Sequence, residues 1–156
     1  MTKQQQYERL FLMLDSLCEG ETDHVALMAT IACELYQTFE RFNWVGFYRN
    51  VGGKVLKIGP YQGTHGCLTI PFSKGICGKC AHEGAMQNVP DVSKVPHHIA
   101  CSATTKSELV MPILAGDGEL VAVLDIDSDT AAAFDEIDEV NLQRLNKYFQ
   151  EGRSVL

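Results

Sequence analysis

The sequence predicts an α+β fold, an antiparallel sheet flanked by helices from the N- and C-terminal ends of the chain. Three features carry that reading. Both ends hold apolar residues at helical spacing, the middle holds short alternating runs bounded by turn residues, and the element order is helix, helix, strands, loop and helix, strands, helix.

Residues 4–17 place Tyr7, Leu10, Phe11, Leu14 and Leu17 at helical spacing, and Gly20 closes the segment. Thr22 or Asp23 can cap a second helix whose apolar stripe is Leu27, Ile31, Leu35 and Phe39. The run NWVGFYRN is an aromatic-rich strand, VGGK a glycine turn, and KVLKIGP the returning arm of a hairpin. Within the first arm Val45 and Phe47 share one face, while Trp44, Gly46 and Tyr48 share the other. The first face looks like core; on the second, a glycine between two large rings leaves room for something to lie there. YQGTHG is a loop and CLTIPF a short strand ending at Pro71. SKGICGKCAHEG is a turn, a short helix from about Ile76 and a stop at Gly84. MQNVPDV is a brief strand closed by Pro90, and SKVPHHIACSATTK has no sustained period. SELVMPIL and ELVAVLDID are strands joined at Ala115-Gly116-Asp117-Gly118. The last helix opens at Phe134-Asp135 and runs through Ile137, Val140, Leu142, Leu145 and Phe149. Asp135, Glu136, Asp138 and Glu139 crowd its first turns, where the macrodipole favours negative charge.

A chain of 156 residues, 46% hydrophobic and 21% charged, is ordinary for one globular domain, residues 1–156. A net charge of −7 and a pI near 5.1 argue against nucleic acid or an anionic membrane as partner, since both need a basic surface. The N-terminus is polar and lacks the apolar core of a signal peptide, and no apolar run approaches the roughly 18 residues of a membrane span. The expected compartment is the cytoplasm, where thiols stay reduced. Six cysteines are there more often free, metal-bound or redox-active than permanently bridged.

Chemistry-bearing residues concentrate between Cys67 and Cys101. That stretch holds four of the six cysteines and, with His65 just outside it, four of the five histidines. Cys77 and Cys80 form a C-x-x-C pair, and His97, His98 and Cys101 could complete a tetrahedral zinc site. The second half is H-H-x-x-C, however, and not another compact pair. A zinc deaminase is excluded because His82 and Glu83 are adjacent and follow the cysteine pair, where H-x-E would have to precede it. A thioredoxin-type motif is partly met by Cys77 and Cys80 at a helix start. A third reading makes Cys101 a nucleophile with resolving thiols at a distance. Glu108, Asp125 and Asp127 lie on otherwise apolar strands, Asp125 and Asp127 on one face. Converging carboxylates repel one another, so one can keep its proton near neutrality, which suits a cationic ligand and a proton donor together.

In order along the chain, NWVGFY, C-x-x-I-P-F, G-x-C-G, P-D-V…H-I-A-C, S-E-L-V-x-P and V-L-D-I-D-S resemble the free methionine-R-sulfoxide reductases, which are GAF-domain enzymes. The match runs from Asn43 to Ser128, and the terminal helices fit a GAF-like sheet flanked by helices. The resemblance implies that Cys101 is the nucleophile, Cys67 its resolving partner and Cys77 a further redox partner. It places the pocket on Glu108, Asp125, Asp127, Trp44 and Tyr48, with Glu108 or Asp127 as acid. The substrate would be free methionine sulfoxide and the reductant a thioredoxin-type dithiol, with no metal or organic cofactor. GAF domains often dimerise through their terminal helices, so a homodimer is expected. Two positions depart from the family pattern: Ser102 stands where many members have Asp, and Cys80 where small uncharged residues are usual. A Cys77–Cys80 bridge is therefore an alternative pairing. The alternative function is a ligand-sensing GAF module without catalysis.

Overall fold

The computed structural model describes residues 1–96, 98 and 101–151. Helix α1 (Lys3–Leu17) starts in a reciprocal capping box between Thr2 and Gln5, and α2 (His24–Thr38) is capped by Asp23. Then come β1 (Trp44–Asn50), β2 (Val55–Gln62), β3 (Thr69–Pro71), α3 (Gly75–Glu83), β4 (Gln87–Val89), β5 (Ser107–Leu114), β6 (Leu120–Ser128) and α4 (Glu136–Gln143). The irregular stretch after β4 includes one 3₁₀ turn, Val92–Lys94. A 3₁₀ segment, Arg144–Phe149, continues from α4, so the last predicted helix tightens after two turns.

Every paired neighbour in the six-stranded sheet is antiparallel, in the order β3-β2-β1-β6-β5-β4. The first and last strands of the chain's two strand blocks, β1 and β6, thus meet at the centre. The hairpin arm β2 reaches further than the sequence predicts, through Tyr61 and Gln62, which pair with Gly46 and Val45. A bulge allows this: Gly59 and Pro60 stand against the single residue Phe47, where a missing proline N–H breaks no ladder bond.

The two faces of the sheet carry different loads. Val45, Phe47, Leu109, Met111, Leu124 and Ile126 face one way and pack with α1, α2 and the C-terminal segment. Trp44, Tyr48, Val110 and Val123 face the other way and pack with Ile76, Cys77 and Cys80 of α3. Helices from both chain ends therefore share one face, and the short internal helix occupies the opposite one. Leu17, Ile137 and Val140 point to solvent and add nothing to the core. The buried side of α4 carries Asp138, Asn141 and Leu142, with Leu145 following.

Asp138 explains the polar stripe. Fully buried, it accepts hydrogen bonds from Tyr7 (2.6 Å) and Lys3 (2.8 Å) and is paired with Arg41. Arg41 also lies over the Phe39 and Phe42 rings, 4.9 Å from each centroid. The network ties α1, the end of α2 and α4 together. Asp138→Ala strands a guanidinium and a phenol without their acceptor, and should lower stability by about 3–5 kcal/mol, the cost of breaking a buried ion pair. Urea unfolding should show a lower midpoint at unchanged slope. A loss below about 1 kcal/mol would contradict the assignment.

Candidate active site

Register alone assembles the floor of a pocket. On β6, Asp127 lies opposite Trp44, Asp125 opposite Gly46 and Val123 opposite Tyr48. On its other edge Asp127 faces Glu108 and Asp125 faces Val110. Because strand side chains alternate, Trp44, Tyr48, Glu108, Asp125 and Asp127 all project to the α3 side. Cys77, on the first turn of α3, closes the floor, and Cys101, Ser102, Thr105, His98, His65 and Gly66 form the walls and rim. Gly84, in the left-handed conformation, stops α3 and lets the chain turn into β4.

Gly46 does leave room, but the room is taken. A Cβ there would stand 2.6 Å from Cβ of Tyr61 and would strike the Trp44 ring. Trp44 lies across its own strand, stacked on Tyr61 (5.3 Å between centroids) and Tyr48 (5.9 Å), with its Nε1 donating to the carbonyl of Thr64 at 2.7 Å. The indole is thus a fixed wall and not a vacant shelf.

The three carboxyls, Glu108 and Asp125 buried and Asp127 partly buried, interact with one another: Glu108 with Asp125 and Asp127, and Asp125 with Asp127 and with the thiol of Cys77. Burial pushes all three well above the usual carboxylate range, and mutual repulsion adds to it. One oxygen of Asp125, Oδ1, is buried without a hydrogen-bond partner among the described residues. Among those residues no lysine or arginine lines the pocket. His98 has its Nε2 3.4 Å from Glu108; burial lowers its pKa, which favours the neutral ring. Burial also drives the Cys77 thiol well up, with Asp125, Glu108 and Asp127 contributing, so this group is a thiol and not a thiolate.

Cys67 and Cys101 are joined by a disulfide, with Cα atoms 5.6 Å apart across 34 residues. Cys77 and Cys80 are both free, and Cys80, also on α3, is fully buried in the core, its thiol pushed up to about 12 by burial. The C-x-x-C pair therefore carries no bridge, and the zinc set built on Cys77, Cys80 and Cys101 is not assembled. His97 of that set lies outside the described residues. The free volume between the lining side chains is about 30 Å³, room for an ion or a couple of waters.

The sequence singles out Trp44, Tyr48, Cys77, Cys101, Glu108, Asp125 and Asp127, and all of them line this pocket, with Cys67 bonded to Cys101. It does not point to Ser102, Thr105 or His65 as lining residues, and it considers His98 only as a metal ligand. Irregular segments have no periodicity from which a facing direction can be read.

The sequence model of the GAF domain matches residues 22–147. The chain is 42% identical to protein YtsP of Bacillus subtilis, over 96% of this chain and 92% of that one. It is 36% identical to the free methionine-R-sulfoxide reductase of Saccharomyces cerevisiae, over 97% of this chain and 88% of the other. The structure is also similar to the free methionine-R-sulfoxide reductase of Neisseria meningitidis in complex with its substrate. There the TM-score is 0.89 at 39% identity, covering 96% of this chain and 89% of that one.

The carboxyl cluster has a stability signature. Below about pH 4 these groups are protonated in both folded and unfolded chains. As pH rises, the unfolded carboxyls ionise first while the folded cluster keeps its protons, so the cluster's contribution to stability is progressively lost. An amide mimics the protonated acid. Asp125→Asn should therefore match wild type near pH 4 and exceed it near pH 8 in paired urea titrations. A variant that loses ground as pH rises would overturn this account.

Proposed function

The chain belongs to the free methionine-R-sulfoxide reductases of the GAF-domain family, and from that premise we propose that it reduces free L-methionine-R-sulfoxide to methionine through Cys101. One observation carries the reading: Cys101, bridged to Cys67, stands at a pocket with aromatic walls and a floor of buried carboxyls. A bridged Cys101 has no thiolate to attack with, so reduction of the bridge precedes the chemical step. The Trp44 and Tyr48 rings then take the methyl-sulfur end. The carboxylates take the α-ammonium, which a methionine inside a polypeptide lacks, and this selects the free amino acid.

In the chemical step the Cys101 thiolate attacks the sulfoxide sulfur while Glu108 or Asp127 gives a proton to the oxygen. The oxygen then passes to the Cys101 sulfur as the substrate's sulfur–oxygen bond and the transient bond between the two sulfurs break, so methionine leaves and Cys101 is left as a sulfenic acid. The Cys67 thiol displaces that oxygen as water and forms the Cys67–Cys101 disulfide. An external dithiol of the thioredoxin type takes up the oxidation by exchange and restores both thiols. Cys77, held protonated and buried, is a slower nucleophile and the second choice of partner. The cycle calls for no metal ion and no organic cofactor. We place residues 1–156 in one domain and the protein in the cytoplasm, consistent with the absence of any helix, among the described residues, long and apolar enough to cross a membrane. Leu12, Met13 and Leu17 on α1 and Ile137 and Val140 on α4 are exposed, which supports a homodimer through the terminal helices.

A chirally resolved assay on the R and S sulfoxides of free methionine, with dithiol as reductant, tests the activity directly; reduction of neither isomer would end the proposal. Cys101→Ser should abolish turnover in a folded protein. Cys67→Ser should still convert about one equivalent of substrate and then stall, because the sulfenate has lost its first partner. If Cys77→Ser stalls after one turnover and Cys67→Ser does not, the two roles are exchanged.

Glu108→Gln and Asp127→Asn each conserve volume while removing an acid or an ammonium ligand. Catalytic efficiency should fall by about 10²-fold or more, the usual scale for a general acid. A lower kcat identifies the proton donor, and a raised KM alone identifies a binding group. Wild-type kinetics in both variants would remove the carboxyls from the mechanism.

A further inference from the structure

We infer that the pocket floor is also a binding site for a thiophilic divalent cation, Zn²⁺ by its donor chemistry, held by Cys77 Sγ and one carboxylate oxygen each of Glu108 and Asp125. These three donor atoms come from three separate elements, α3, β5 and β6, and all lie within 4.8 Å of one another. Small χ rotations bring such donors to the ~3.5 Å separations of a tetrahedral ion with bonds of ~2.0–2.3 Å. All three residues are buried, so none is merely part of a solvated acidic surface.

A second observation points to a ligand independently. Among the described residues Asp125 Oδ1 is buried without a hydrogen-bond partner, a state that native structures rarely leave unexplained. None of those residues that line the pocket is a lysine or arginine that could neutralise it. One sulfur with two carboxylate oxygens is a donor set that zinc accepts and that magnesium or calcium, which favour oxygen alone, do not. An ion there would displace the thiol proton, as coordinating thiols generally lose theirs, and would offset the repulsion among the carboxylates. The free volume of about 30 Å³ admits an ion while Cys67 and Cys101 remain bridged. Such an ion would occupy carboxylates that a cationic substrate group needs and would mask Cys77. It is a blocker of the site and has no part in the chemistry proposed above, so the site can exist whatever that chemistry turns out to be.

The test uses the full chain in its bridged form, in which the Cys67 and Cys101 sulfurs cannot ligate. Zn²⁺ is titrated against a chromogenic chelator, and Co²⁺ is followed by its absorption spectrum. The expected result is one saturable equivalent of Zn²⁺ and a sulfur-to-cobalt charge-transfer band. Cys77→Ser should lose that band and bind Zn²⁺ more than about tenfold more weakly, since even outer-shell partners of a metal are worth 10–100-fold. Asp125→Asn should weaken Zn²⁺ while keeping the band, and Cys33→Ser, altered on α2 away from the pocket, should change neither. Cys77→Ala provides a second thiol deletion if the serine variant folds poorly by circular dichroism. No saturable binding by wild type, binding indifferent to both pocket substitutions, or loss of the band in Cys33→Ser would each overturn the site. Failure to reduce methionine sulfoxide would strike the proposed activity and leave these binding results untouched.

Discussion

The pairing of β6 with β1 on one edge and β5 on the other is the constraint from which the site follows. It sets Asp127 between Trp44 and Glu108, and Asp125 beside Gly46. A slip of one residue would exchange the two faces of β6. Ile126 and Leu124 would then move to the pocket, and the two aspartates would be driven among the apolar side chains of α1 and α2. The pressure that prevents the slip comes from the opposite face, where Leu124 and Ile126 are fully buried with Phe47 and Val45. The hydrophobic core on one side of the sheet thus aims the polar groups on the other.

Three carboxyls in so small a buried space oppose folding once the pH exceeds their ordinary range. Their protons stay on in the folded state because burial and mutual repulsion both disfavour charge. The same arrangement provides acids near neutral pH and acceptors aimed into a pocket that, among the described residues, has no lysine or arginine in its lining. Activity and stability therefore pull in opposite directions at this site, as they often do where a site is built from strained or repelling groups. The Asp138 network shows the contrast. There a buried carboxylate has Tyr7, Lys3 and Arg41 as partners, and its role is to hold helices together.

The cysteines divide by environment. Cys67 and Cys101 are joined at the pocket rim; Cys77 meets the carboxyls at the floor, and Cys80, one turn along the same helix, is sealed in the core. Helical geometry produces the last separation: residues three apart point in related but unequal directions, enough to put one thiol in the pocket and the other behind it. The C-x-x-C spacing alone does not reveal this, since it suits a redox pair, a metal site or two unrelated thiols.

What the sequence by itself determined is whatever periodicity and local chemistry can encode. The α1 and α2 stripes, the Asp23 cap, the stop at Gly84 and the alternation that separates Val45 and Phe47 from Trp44 and Tyr48 are of this kind, because each depends on neighbours within a turn or two. The family resemblance added the grouping of Cys67, Cys77, Cys101 and the carboxyls. Tertiary structure alone decided the rest. Tyr61 and Gln62 became strand because a bulge at Gly59–Pro60 let β2 keep its partner. Gly46 turned out to make room for Trp44, because the indole had a ring to stack on and a carbonyl to reach. His65, His98, Ser102 and Thr105 joined the pocket from irregular segments whose direction is set by what they pack against. Ile137 and Val140 were left to solvent because the buried side of α4 was taken by Asp138, whose side-chain partners Tyr7, Lys3 and Arg41 lie more than ninety residues away in the chain. Such choices depend on contacts between distant segments, and no local pattern in the chain records them.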